Sequence, residues 1–228
     1  NVILPDRFRD PFHFEEIISL QERIMERGQS IDLSNITFIE PYSMVSLLLL
    51  GRNFLRNRGQ KLKVVNIPVP IHQYLTRMDF FRAGIFEDVT SMPEKYGLKR
   101  SSASRRLIEL TEIPGKERES VRVISRVTGL FRKRAGLILK QWISDDVTDY
   151  FVTVISEVCQ NIFEHSLDSG YLAMQTYTVA GEDIVRLVIA DSGIGIPESL
   201  RKRLPDAETH GDMIEMALTT PVSGKREF

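Results

Sequence analysis

The chain has 228 residues, of which 42% are hydrophobic, enough for two modest domains that each bury a core. Its 30 basic side chains against 31 acidic ones leave a net charge of −1, so no overall field draws it to nucleic acid or to an anionic membrane. The single cysteine, Cys159, excludes an internal disulfide and suits a reducing compartment, and histidines at 13, 72, 165 and 210 are too scattered for a metal cluster. The longest apolar run, at 45–50, falls far short of the roughly 20 residues that cross a bilayer, and no signal peptide is recognised; a cytoplasmic protein is expected.

In chain order, Ile17, Ile18, Leu20, Ile24 and Met25 recur at helical spacing over 14–27, and Gly28 closes that helix. Residues 30–40 read as a strand, 43–58 as a leucine-rich helix ended by Gly59, 61–67 as a strand and 70–78 as a short helix. Strands alternating with helices predict an α/β layer with some parallel pairing. The stretch 89–104 contains Pro93, Gly97 and a serine cluster at 101–104 without a sustained period, and reads as a linker. Lys99, Arg100, Arg105 and Arg106 lack interleaved aromatics, so they read as a solvated edge and not as a grip on a phosphate backbone.

The second half opens with a strand at 106–113, which Gly115 breaks, and a helix at 117–133 carrying Val121, Ile124, Val127 and Phe131. Trp142, with Leu137, Leu139 and Ile143 nearby, reads as core or as a contact between helices. Asp145 and Asp146 are good N-caps for a helix at 146–167 whose apolar positions are Val147, Phe151, Val154, Ile155, Val158 and Ile162. Glu157 and Asn161 then lie about 40° apart, one turn after the other, on the flank of that arc. Two β-rich runs, 171–179 and 184–190, joined by Gly181-Glu182-Asp183, predict an antiparallel hairpin. Asp191 ends the row Val185, Leu187, Ile189, a carboxylate at the close of a core-facing strand face. Gly193 and Gly195 in the turn 191–197 free the backbone to bend and to approach a ligand. Taken singly, a Glu and an Asn one turn apart are usually a solvated helix edge, Asp-x-Gly-x-Gly is usually a turn, and His165 is a favourable charge at a helix C-terminus. Their order on helix and then strand end is what points to a site.

Glu157-x-x-x-Asn161-x-x-x-His165 followed by Asp191-x-Gly193-x-Gly195 resembles the two nucleotide-binding motifs of the GHKL ATPase superfamily, over about residues 104–228. The resemblance implies that Asn161 coordinates the Mg²⁺ that bridges the phosphates of ATP, that Asp191 accepts from the adenine amino group, and that the glycines open an ATP lid. It implies Glu157 as general base, as in gyrase-type and anti-sigma-kinase members, and adds His165, Gly193 and Gly195 to the cofactor-binding residues. The chemistry is consistent: a carboxylate activates a nucleophile, an amide oxygen is a hard Mg²⁺ ligand, and phosphate recognition needs bare backbone.

The first half, through Ile31-Asp32-Leu33-Ser34-Asn35-Ile36-Thr37-Phe38-Ile39, the leucine-rich helix and Val64-Val65-Asn66, is similar to STAS domains of anti-sigma-factor antagonists over about 1–88. It departs where that family carries Asp-Ser-Ser-Gly with a phosphoacceptor serine. Glu40-Pro41-Tyr42-Ser43 stands there, Pro41 has no hydroxyl, and Ser43 reads as the helix cap.

The expectation is therefore α/β: a STAS-like domain at 1–88, a linker at 89–104, and at 105–228 a GHKL-type domain of Bergerat architecture, a mixed sheet covered by helices on one face. Its lid region is 195–228, where Met213, Ile214, Met216, Ala217 and Leu218 form a short helix. The family's second glycine box is not found, so the domain is expected to be C-terminally incomplete. Only His13 and His72 precede it, so no phosphoacceptor-histidine helix of a sensor kinase is read. The implied function is a cytoplasmic Mg-ATP-binding regulator of the anti-sigma-kinase type that phosphorylates or switches a protein partner, with a homodimer possible. The alternatives are a non-catalytic nucleotide-dependent switch and an interaction scaffold with a vestigial pocket.

Overall fold

A computed structural model describes residues 1–6, 14–28, 30–89, 104, 106–115, 121–201 and 209–219. The first half forms a parallel sheet of four short strands, β1 (Val2–Ile3), β2 (Ser30–Asp32), β3 (Leu62–Val65) and β4 (Phe86–Asp88), in that spatial order. Parallel neighbours need long crossovers. Among the described elements, α1 (Phe14–Arg27) lies between β1 and β2, α2 (Pro41–Arg58) between β2 and β3, and α3 (Val69–Arg77) with a 3₁₀ turn at Phe80–Ala83 between β3 and β4. The α/β class is thus met, with parallel pairing.

Two local expectations are corrected here. The strand read over 30–40 is three residues long, because Asp32 turns the chain: its Oδ1 accepts from Ser34 N at 2.9 Å and its Oδ2 from Asn66 Nδ2 at 2.7 Å. Leu33, Ile36 and Ile39 remain buried beyond it, so the apolar pattern marked burial and not strand. Ser43 does not cap α2. The helix starts at Pro41, whose fixed φ and missing N–H suit the first helical position, and the N-cap Glu40 makes no side-chain cap bond. Ser43 lies in the first turn with 0% of its surface exposed. No phosphate should enter Ser43 of the folded protein incubated with a serine kinase and ATP, as read by peptide mass spectrometry; a phosphopeptide at Ser43 would show that α2 opens.

The second sheet is antiparallel, β5 (Leu107–Ile113), β6 (Gly170–Val179) and β7 (Glu182–Asp191) in the order β5-β6-β7, with α4 (Val121–Leu139) and α5 (Asp145–His165) between β5 and β6. The hairpin turns at Ala180-Gly181 and not at 181–183. Both residues have positive φ, 52° and 87°, the backbone of a two-residue turn that matches strand twist, and Glu182 and Asp183 pair in register with Val179 and Thr178. Strand alternation splits β6 and β7 between two cores. Leu172, Met174, Val185, Leu187 and Ile189 face α4 and α5, with Phe131, Val152, Ile155 and Cys159. Tyr171, Ala173, Val188 and Ala190 join the core that holds Met44, Leu48 and Leu50 of α2.

The sheet is therefore covered on both faces and not on one, and α2 is the second cover. A helix so placed must bury more than one stripe, and the first half of α2 does: Met44, Val45, Leu47, Leu48 and Leu50 are all buried, as is Phe54, while Arg56, Asn57 and Arg58 at its end are exposed. Polar contacts tie the same faces together. Tyr74 Oη donates to Gln175 Oε1 at 2.7 Å, Arg186 Nε lies 3.3 Å from Glu40 Oε2, and Arg77 of α3 and Arg134 of α4 both bind the Glu109 carboxylate of β5. Burial works against the ionised Glu109, yet its bond from Arg77 and the nearby Arg134 charge bring its pKa below the usual value.

Ser144, and not Asp145 or Asp146, caps α5, accepting from Val147 N at 3.4 Å; the two aspartates occupy the first turn, where negative charge suits the helix dipole. Trp142 is not a core residue; it sits in the turn between α4 and α5 and is 39% exposed. Past Asp191 come α6 (Gly195–Leu200) and α7 (His210–Thr219), which pack on one another, with a reciprocal cap between Thr209 and Asp212. The linker read over 89–104, apart from Val89 and Ser104, and the lid stretches 202–208 and 220–228 lie outside the described residues. Among the described residues no helix is long and apolar enough to cross a membrane.

Candidate functional site

The site is assembled at the C-terminal end of α5. Ser166 follows the last helical residue and caps the turn, its N–H donating to Ile162 O at 3.0 Å. Its hydroxyl then donates to Asp191 Oδ1 at 2.6 Å, and the same carboxylate oxygen accepts from Gly193 N at 2.8 Å. Ile194 N closes the arrangement by donating to Ser166 O at 3.0 Å. Helix end and strand end are thus joined into one rigid corner. Asp191 Oδ1 is fully used there, whereas Oδ2 has no hydrogen bond among the described residues. A carboxylate held by one oxygen presents the other in a defined direction as an acceptor.

Gly193 is required here by space. A Cβ at that position would stand 1.9 Å from Ser166 O and 2.0 Å from Ser166 Oγ. Gly195 is required by conformation: its φ is +73° at the start of α6.

Glu157 and Asn161 are placed differently from the expectation. The buried side of α5 is Thr148, Val152, Ile155, Cys159, Ile162 and Phe163, while Val147, Val154 and Val158 are exposed. At 100° per residue Glu157 is about 160° from both Ile155 and Cys159, so it faces away from the packed side and does not flank it. The register slips because Thr148, Cys159 and Phe163, which an aliphatic pattern overlooks, carry the burial. Both Glu157 and Asn161 are exposed, and the side chain of neither has an ion pair or hydrogen bond with another described residue. Along the axis they lie roughly 14 and 8 Å from Ser166, which puts Asn161 between Glu157 and the Asp191 corner. His165 is half-buried, with Nε2 3.7 Å from Glu164 Oε2.

On the opposite side of β7 a cleft of about 610 Å³ runs between α1, α2 and the strand, with Ile17, Leu49 and Val188 among its walls and Asp191, Ser192 and Gly193 at one end. Glu157, Asn161 and His165 do not line it. The Asp191 turn therefore lies at one end of this cleft and is tied to the end of α5 through Ser166, while Glu157 and Asn161 lie outside the cleft.

A second group of residues, not anticipated from the sequence, holds the turn from the α2 side. Asp168 accepts from Arg52 Nε at 3.0 Å and also from Arg52 Nη2, from Ser169 N at 2.7 Å and from Ser192 Oγ at 2.9 Å. Burial by itself would raise the pKa of this carboxyl, but these bonds and the Arg52 charge hold it below the usual carboxylate value. Bonding to Asp168 in turn pushes Arg52 above its ordinary range. Arg52 and Arg56 are visible in the sequence as a basic pair on one helix face, but their carboxylate is 116 positions from Arg52, and no local pattern connects them. Cys159 is buried inside α5, which pushes its thiol up to about 11 and makes it a packing residue.

No protein-family model matches the chain, and no curated protein or solved structure matches it significantly.

Proposed function

We propose that the chain is a cytoplasmic ATP-binding regulator in which a STAS-like unit is joined to a GHKL-type nucleotide unit, acting on a protein partner. One observation carries this reading: Asp191 is anchored through Oδ1 by Ser166 and Gly193, and its Oδ2 is left as a directed acceptor beside a turn too tight for any residue but glycine. Such an acceptor takes a hydrogen bond from an N–H donor, and an exocyclic amino group such as adenine's is one that fits. The run of α5, hairpin, Asp191 turn and short helix supports the reading further, as does the placement of Asn161 and Glu157 on one open face leading away from the turn.

The donor set suits magnesium in the way a nucleotide brings it. Among the described residues no group of three or more His, Cys, Asp or Glu side chains could cage a metal, and the hydrated ion asks for no cage, since it takes one or two protein ligands and substrate phosphates. Asn161, with its amide uncommitted, would hold it, and the bound ion would neutralise phosphate charge. Glu157 stands one turn further along as the carboxylate able to take a proton from an attacking hydroxyl or water.

The test is calorimetric titration of Mg-ATP into wild type and Asp191→Asn. An asparagine can keep its oxygen on Ser166 and Gly193, but then aims an NH₂ donor where Oδ2 was. Losing that charge-assisted bond costs about 1.5–3 kcal/mol, a weakening of roughly 10- to 100-fold. Equal affinities, or a wild type that binds no ATP, would remove the assignment.

A further inference from the structure

Ser192 stands between Asp191 and Gly193, its carbonyl held from α2 and its hydroxyl by Asp168. Its carbonyl accepts from Arg56 Nη1 at 3.2 Å. Its hydroxyl donates to Asp168 Oδ2, which also lies 3.5 Å from Arg56 Nη1. Asp168 is itself seated by Arg52, whose remaining nitrogen Nη1 donates to Tyr171 Oη at 3.0 Å. Arg52 and Arg56 are i and i+4, so one face of α2 supplies both guanidinium groups.

The two are not equivalent. The side chains of Arg52 and Asp168 are 15% and 17% exposed, that of Arg56 56%. Arg52–Asp168 is the fixed anchor, and Arg56–Ser192 an outer clasp that can open. The clasp sits one peptide from the carboxylate whose Oδ2 direction decides recognition, and a hydrogen bond weakens steeply once its angle is lost.

We propose that Arg52 and Arg56, acting through Asp168 and Ser192, are positioning residues for the Asp191 turn, so that the four-stranded unit sets the base selectivity of a nucleotide site carried on the three-stranded one. The proposal rests on the nucleotide reading above. It assigns α2 a role beyond covering the sheet: whatever displaces α2 or competes for Arg56 loosens the turn and lowers discrimination at the site.

The experiment uses the full chain as wild type, Arg56→Ala, Ser192→Ala and Arg56→Lys. Arg56 is exposed enough for its truncation to leave the fold intact, and amide exchange in β3 and α4 serves as the internal control. With no ligand present, exchange at Gly193 and Ile194 should speed up several-fold in Arg56→Ala and Ser192→Ala. Binding of ATP and of inosine triphosphate, which has a carbonyl where adenine has its amino group, is then compared. The preference for ATP should fall by about 3- to 5-fold in both variants, the range of one exposed charge-assisted contact, and Arg56→Lys should recover most of it. A merely structural clasp would lower both affinities equally and leave the ratio unchanged, which overturns the positioning role. Unchanged exchange at Gly193 and Ile194 overturns the clasp whatever the nucleotide result. Faster exchange in the variants with a wild type that binds neither nucleotide overturns the nucleotide reading and, with it, the selectivity role.

Discussion

Gly193→Ala should lower the melting temperature by roughly 6–12 °C and abolish measurable ATP binding. The added methyl would stand 1.9 Å from Ser166 O and 2.0 Å from Ser166 Oγ, far inside contact distance. Neither neighbour can move cheaply. Ser166 O accepts from Ile194 N, and Ser166 Oγ is the donor that anchors Asp191. Making room therefore parts the end of α5 from the end of β7 and breaks those bonds together. Overpacking of a closed corner costs about 3 kcal/mol or more, which for a chain of this length corresponds to the stated shift at about 2–4 °C per kcal/mol. Thermal unfolding followed by circular dichroism measures the first effect and calorimetry the second. A shift under about 2 °C with ATP affinity intact would mean that the turn relaxes freely and that Gly193 is not a spatial requirement.

What was legible beforehand follows from the range of the interactions involved. The α/β class, α1, the hairpin strands and the Asp191 turn were readable because they rest on spacing within a dozen residues and on glycines at turns. The strand expected over 30–40 failed because burial of Leu33, Ile36 and Ile39 was mistaken for pairing, when Asp32 had already bent the chain. Glu157 was misplaced on α5 because the buried side is set by Thr148, Cys159 and Phe163 as much as by aliphatic residues. The covering of the second sheet by α2 was hinted at only by the apolar run through the first half of that helix. Which surface it covered depended on pairings such as Arg52 with Asp168 and Arg186 with Glu40, which no local spacing encodes.

The exposed, uncommitted state of Glu157 makes the cleanest test of whether the protein turns ATP over or only responds to it. If it hydrolyses ATP or transfers a phosphoryl group, the attacking oxygen must lose its proton near the γ-phosphate, and Glu157 is the carboxylate one turn beyond Asn161 on the same open face. Glu157→Gln keeps the size and much of the hydrogen bonding while removing the base. Turnover should drop by roughly 10²- to 10⁴-fold with ATP affinity within a few fold of wild type, the signature of an interaction made in the transition state. Stability should not follow. A structural role would need Glu157 to engage a neighbouring basic side chain, and among the described residues it engages none, so unfolding should shift by no more than about 0.5 kcal/mol, as for ordinary surface positions. Single-turnover hydrolysis beside a binding isotherm and a melting curve separates the cases. Unchanged turnover in the variant removes the general-base role. A wild type that binds ATP without consuming it identifies a switch, in which occupancy of the Asp191 corner, and not chemistry at Glu157, is what the partner senses.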